Sequence, residues 1–311
     1  MQANDEKSRL QACYEELNLL ENLDLVLDLP LLEYTYFKAG GPADLACFPH
    51  TETSLLACLK TARKHELPIT ILGKGSNVLV ADRGVRGVVI LLRENYAQVR
   101  QEGDLWVAQA GAPLYEVGAL LAREGLAGGE FLAGIPGSAG GATYMNAGAY
   151  EGVIADLVQK VSFINEDLEI QTLNNEQCAF SYRHSYFTDH PGVISEIYFT
   201  GQPGRREDIY SKIFEIQKRR REAQPLEMPS GGSSFKRPQG AYAAKLIADS
   251  GLKGKRWGQV GVSAKHSGFI VNYGGASASE IYAVFQRVRQ HVHEVTGFNL
   301  EMEVKRIGEW K

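Results

Sequence analysis

Five segments of this 311-residue chain hold residues whose types and spacing could do chemistry. The first is Gly73-Lys74-Gly75-Ser76-Asn77, which follows the apolar run at 69–72. Glycines let backbone N–H groups converge on one point, and such a nest takes phosphate oxygens. It is not a Walker loop, because no Ser or Thr follows Gly73-Lys74 and the upstream glycine is missing. Nor is it a Rossmann fingerprint, since Val78 stands where the third glycine belongs. By itself it reads as an ordinary turn. The second segment runs from Gly134 through Pro136, Gly137, Ser138, Gly140 and Gly141 to Asn146 and Gly148. Its glycines permit close approach of a ligand to the main chain, and Ser138 and Asn146 could add directed hydrogen bonds. A buried glycine-rich turn is the alternative. Two nests in one chain favour a long diphosphate ligand more than either does alone.

The other three segments are Ser181-Tyr182-Arg183-His184-Ser185, the run from Gly232 to Pro238, and the run from Glu301 to Gly308. Unaided, Arg183 reads as a surface arginine beside a tyrosine, and Gly231-Gly232-Ser233-Ser234 as a flexible loop. On a strand, Glu301 and Glu303 would point the same way, so periodicity does not separate them. The basic run Lys218-Arg219-Arg220-Arg221 ends a helical pattern, where such runs are usually solvated. His266 reads as structural, and His291 and His293 as solvated on the polar side of the last helix. No His/Cys/Asp/Glu group has metal-ligand spacing, so no metal is expected.

These segments must be positioned by a mixture of strands and helices. Residues 1–30 read as a helical lead-in ended by Pro30. Strands are expected at 44–48, 69–72, 88–92, 105–110, 158–164, 193–200 and 302–307. Helices are expected after Thr51 as N-cap, from Pro113 to 124, from 204 to 222, and from 278 to 295. The last has Ile281, Val284, Phe285, Val288, Val292 and Val295 at helical spacing, a Ser277/Glu280 capping box and Gly297 at its end. Residues 125–152 include nine glycines among bulky side chains, which implies an ordered, tightly turning backbone. The pattern argues for an α+β protein over a regular βαβ sheet.

Hydrophobic residues make up 44% of the chain and charged ones 23%, enough for a sizeable core. A net charge of −4 gives no support for a nucleic-acid partner or an anionic membrane surface, so an anionic ligand needs a local cluster. The cysteines Cys13, Cys47, Cys58 and Cys178 lack disulfide or zinc spacing and read as reduced, buried thiols. With no signal-peptide pattern and no long apolar run, a cytoplasmic location is expected.

Taken in order, the five segments resemble the UDP-N-acetylenolpyruvoylglucosamine reductase family (UDP-N-acetylmuramate dehydrogenases), over about residues 34–308. The two nests look like the FAD-binding fold that this family shares with flavoproteins of the vanillyl-alcohol-oxidase (PCMH) type. The resemblance implies a helical extension at 1–33, a two-lobed FAD domain at 34–200, an α+β substrate domain at 201–300, and a C-terminal strand at 301–311 returning to the FAD cleft. It places the chain in the shorter class, without the extra insertion. It implies non-covalent FAD, with NADPH as reductant of the flavin and onward hydride transfer to the vinyl carbon of an enolpyruvyl UDP-sugar.

The same resemblance makes Arg183 the grip on the substrate carboxylate, Ser233 the proton donor and Glu303 the acid that helps polarise the carboxylate. All three are expected to converge. Gly73, Lys74, Gly75, Ser76, Asn77, Gly134, Pro136, Gly137, Ser138, Gly140, Gly141, Asn146 and Gly148 become candidates to bind the cofactor. Tyr182, Lys236, Arg237 and Arg221 become candidates to bind substrate, and Lys236 could also steady an alkoxide on Ser233. Ser234 remains a rival to Ser233. Oligomeric state is not encoded in any visible feature, and a monomer is the expectation. Two rivals stay open: a flavin-tethering alcohol oxidase, which would want His or Cys in the first glycine loop, and a non-catalytic nucleotide-binding module.

Overall fold

A computed structural model describes residues 2–310, with side-chain burial from Asp5. The chain divides into two compact units that interleave along the sequence. The first takes residues up to Val26, Leu45–Lys74 and Gly87–Arg220; the second takes Leu27–Asp44, Gly75–Arg86 and everything from Arg221.

In the first unit the helices Gln2–Leu17 and Glu52–Lys64 pack together. Thr51 caps the second helix as its residue type demands: Thr51 Oγ1 accepts from Ser54 N at 3.1 Å. Strand Ile69–Leu72, which leads into the first glycine loop, runs parallel to Val85–Leu91, with Ile69 opposite Val88. A second sheet is antiparallel throughout, in the order Ile170–Asn174, Val158–Asn165, Gly192–Phe199, Leu105–Gln109, Val99–Glu102. The core includes Cys13, Cys58, Ile90, Val117, Phe163 and Phe199. All four cysteines are free and buried. Burial pushes the Cys13 and Cys178 thiols up to about 12, which leaves them unreactive.

In the second unit, strands Arg256–Trp257, Val260–Val262 and Ile270–Asn272 form an antiparallel sheet under the long helix Ala278–Thr296. Phe285 of that helix meets Phe37 and Phe235 edge-on, at 6.2 and 5.5 Å between ring centroids. Ile281, Val284, Phe285, Val288 and Val292 are buried. Each contributes about 1.5–3 kcal/mol relative to exposure. The Ser277/Glu280 capping box forms and Gly297 closes the helix at φ 77. The C-terminal strand Lys305–Ile307 runs parallel to Val78–Val80.

Some expectations need correction. Residues 1–30 are not one helical lead-in, because Leu23–Pro30 is a strand. Its Leu-Asp-Leu-Val-Leu-Asp-Leu sequence alternates polar and apolar residues, which suits a half-buried edge. Val295 is 56% exposed, off the buried stripe. His291 is not solvated: its Nε2 is bonded to Ser250 O at 3.1 Å. His266 is a packing residue, edge-on to Phe269, with Nδ1 accepting from Gly268 N and burial holding it neutral. Strands 99–102, 170–174, 260–262 and 270–272 and helix Ala243–Asp249 had no clear signal in the sequence.

Candidate functional site

The first unit holds the start of the first glycine loop and all of the second. Gly73 lies hard against Ser138: a Cβ at Gly73 would sit 2.4 Å from Ser138 Oγ. The two segments therefore meet, and only glycine fits at 73. Ser138 is itself buried; it opens the short helix Ala139–Tyr144, and its Oγ accepts from Gly141 N at 3.4 Å. Gly140 N donates to Ala110 O, and a Cβ at Gly140 would lie 2.7 Å from Ala110 Cβ. The amides of Gly140 and Gly141 are thus engaged within the protein; Gly140 also allows close packing on Ala110, whereas Gly141 is exposed. Gly137 O accepts from Leu114 N, Gly134 is buried beside Tyr150 and Ile216, and Pro136 is half-buried between them in sequence. Lys74 is largely buried, and its ammonium meets Glu94 Oε1 at 2.6 Å. That bond holds the Glu94 carboxyl down at about 2.

Arg183 belongs to the same unit. It is the third residue of a tight turn in which Ser181 and His184 pair, and it has φ 57. Its Nη1 reaches Gly148 O at 3.4 Å, and the guanidinium carbon lies 5.3 Å from the exposed Tyr182 ring. Asn146 Nδ2 donates to Ser181 O at 2.9 Å. The turn is therefore tied to the second glycine segment.

The second unit holds the end of the first loop and the other two candidate segments. Gly75 has φ 67, and a Cβ there would lie 2.1 Å from Tyr34 O. Ser76 is half-buried. Asn77 Nδ2 donates to Glu303 O at 3.3 Å, and Asn77 O accepts from Lys305 N. Residues 234–236 run antiparallel to 301–303, through Glu303 N to Ser234 O at 3.0 Å, Lys236 N to Glu301 O at 2.8 Å, and a bridge between Phe235 and Met302.

This pairing separates both sets of neighbours that the sequence left tied. Ser234 is fully buried, with N donating to Gly268 O and Oγ accepting from Ile270 N, both at 2.8 Å. Ser233 is exposed, next to Gly232 at φ 75. Glu303 is buried, 8% exposed, whereas Glu301 is exposed and holds Lys236 Nζ at 2.5 Å. The expected strand at 302–307 is shorter than that, beginning at Lys305, so the two glutamates escape the same-face rule. Arg237 stacks on Tyr242 at 3.9 Å, and Arg221 O accepts from Lys265 Nζ at 2.6 Å. Among the described residues no His/Cys/Asp/Glu group could hold a metal, and no helix is long and apolar enough to cross a membrane.

Comparison with known proteins decides the family. The profile of the UDP-N-acetylenolpyruvoylglucosamine reductase C-terminal domain matches residues 224–307, and that of an FAD binding domain matches 43–174. The chain is 42% identical over 292 residues to the UDP-N-acetylenolpyruvoylglucosamine reductase of Clostridium botulinum, covering 94% of this chain and 95% of that one. It belongs to the UDP-N-acetylenolpyruvoylglucosamine reductase family. The family's protein from Lachnoclostridium phytofermentans is 41% identical over 296 residues, covering 94% and 96% of the two chains. The crystal structure of the enzyme from Thermus caldophilus has a TM-score of 0.78 at 33% identity and covers 92% of this chain and 98% of its own.

The residues present fit FAD, the group this family membership brings. The close crossing of Gly73 and Ser138 brings the two loops to one place, as a diphosphate ligand requires. Next to it, Thr143 Oγ1 is buried with no hydrogen-bond partner among the described residues, a polar atom awaiting one. Residues 70–80 contain no His or Cys that could tether a flavin.

Proposed function

We propose that this chain reduces the enolpyruvyl group of UDP-N-acetylenolpyruvoylglucosamine to give UDP-N-acetylmuramate, with NADPH as reductant, in the cytoplasm, as a monomer. The reaction supplies peptidoglycan precursor. FAD, when bound, supplies the hydride chemistry, from NADPH to the terminal vinyl carbon. The loops around Gly73 and Ser138 would hold it, within an FAD-binding portion at about 34–200, and residues 201–300 would take the substrate. Lys236, Arg237 and Arg221 are the proposed contacts of the diphosphate, with Tyr182 lining the sugar side; Lys236 must leave Glu301 to serve.

Adding hydride to one vinyl carbon leaves negative charge on the other, spread into the substrate carboxylate. Arg183 suits that carboxylate, because a guanidinium is always charged and matches it as a two-pronged donor. Glu303, which is buried, is the proposed acid that helps to polarise the carboxylate. Ser233 gives its hydroxyl proton to the carbanion-like carbon and is reprotonated from water. The observation that supports this reading is the backbone pairing of 234–236 with 301–303, which ties the chain that follows Ser233 to the chain at Glu303.

The test is NADPH consumption by the FAD-loaded protein, with and without the enolpyruvyl UDP-sugar. Substrate-dependent consumption with formation of the lactyl ether supports the proposal. A tightly held flavin with no substrate-dependent consumption would leave a binding module instead.

A further inference from the structure

Arg183 sits in a left-handed conformation at the third position of a four-residue turn, where glycine is the usual residue. Ser181 and His184 exchange both backbone hydrogen bonds, at 3.0 and 3.3 Å, which closes the turn around Tyr182 and Arg183. At φ 57 a non-glycine side chain crowds its own carbonyl, so the conformation is strained and is kept only while the turn is kept closed and in place.

Two side chains keep it in place. Asn146 donates from Nδ2 to Ser181 O at 2.9 Å and accepts at Oδ1 from Ala155 N at 3.1 Å. Ser185, fully buried, donates from Oγ to Tyr144 O at 2.5 Å. One bond grips the turn before Arg183 and the other grips the chain just after it. Both anchors, Tyr144 and Asn146, lie at the end of the short helix Ala139–Tyr144. The base of the turn is thus fixed in the interior while its tip is open, with Tyr182 59% exposed. Arg183 Nη1 also reaches Gly148 O at 3.4 Å, and His184 meets Asp189 at 2.9 Å in a surface pair that holds little.

We propose that Asn146 and Ser185 are positioning residues for Arg183, a two-point clamp that presents the guanidinium to the substrate carboxylate. This rests on the reading of Arg183 given above. Each end of the Asn146 amide makes one bond within the protein, and those two bonds fix the side chain that grips the turn.

The test is a double-mutant cycle on the FAD-loaded full chain, with kcat and KM for the enolpyruvyl UDP-sugar as readouts. Ser185→Ala removes one anchor. Asn146→Gly removes the other while keeping the left-handed backbone that Asn146 occupies at φ 44, so it remains informative if Ser185→Ala fails to fold. Each should lose about tenfold in kcat/KM, the population shift expected when a strained conformer loses its support. In an Arg183→Ala background each should lose nothing further, which a merely structural role would not produce. Single variants within twofold of the parent, or full additivity with Arg183→Ala, would overturn the clamp. If Arg183→Ala itself keeps full activity, the reading of Arg183 falls instead, and the two failures are distinguishable.

Discussion

Replacing Ser233 and Ser234 by alanine, one at a time, should damage two different properties. Ser234 Oγ is the acceptor for Ile270 N at 2.8 Å, in a place with no solvent access. Its loss leaves a buried N–H unsatisfied, at a cost of about 1–3 kcal/mol. At about 2.1 cal/mol/K of unfolding entropy per residue, each kcal/mol lowers the melting temperature of a 311-residue chain by about 1.5 °C, so Ser234→Ala should melt about 1.5–5 °C lower. Ser233 is exposed and its removal should change stability by less than about 0.5 kcal/mol. As proton donor, however, it should be worth about 10²–10⁴ in turnover. The assay pairs a thermal melt of the FAD-loaded protein with substrate-dependent NADPH oxidation. The opposite pattern, in which Ser234→Ala keeps its melting temperature and loses turnover while Ser233→Ala stays active, would refute the assignment of the proton donor.

Gly73→Ala should cost FAD retention, because its new Cβ would lie 2.4 Å from Ser138 Oγ and part the two loops; the check is the ratio of flavin to protein absorbance after gel filtration, and a fully yellow variant would count against the loop assignment. Glu94→Gln should flatten the fall of stability in acid, because the variant lacks at neutral pH what the parent loses on acidification. The Glu94 carboxyl is held below its ordinary value, at about 2, chiefly by Lys74, so its contribution is present above about pH 4.5 and is lost as pH falls toward about 2. Glu94 is 66% exposed, so at neutral pH the pair is worth under about 1 kcal/mol and the variant should melt within a few degrees of the parent. A parent and variant with identical melting profiles across that acid window would show the pair to be absent in solution. Denaturation in trichloroacetic acid should release all the yellow colour to the supernatant, since residues 70–80 offer no tether; colour kept in the pellet would revive the oxidase reading.

The helix Ala278–Thr296 was legible because three independent signals agreed: the capping box, the apolar stripe and Gly297. The glycine segments were legible because glycine is needed where chains cross closely, as at Gly73 and Gly140. Strand Leu23–Pro30 was misread because leucine-rich sequence next to a helix reads as more helix, although its alternation was visible. The short strands at 260–262 and 270–272 carry three residues each, too few for periodicity to register. Asn146 was read as a cofactor ligand. A side chain that binds the main chain of residue 181 leaves no local pattern in sequence, because its partner is far along the chain.

Burial weighs on the two neighbour ambiguities in opposite directions, as the proposed chemistry requires. A serine that gives its proton to a substrate carbon must be reachable, which is why the proposal takes the exposed Ser233 over the buried Ser234. A carboxyl that acts while protonated must be held away from water, which is why the proposal takes the buried Glu303 over the exposed Glu301, paired with Lys236. One backbone ladder produces both outcomes: the bond from Glu303 N to Ser234 O takes each residue's main chain into the interior. The Ser234 side chain is used to anchor that ladder, which leaves the preceding residue, beside Gly232, to project outward. Loosening the ladder should therefore impair both functions together, and a variant that affects one while leaving the other intact should map to the side chains and not to the pairing.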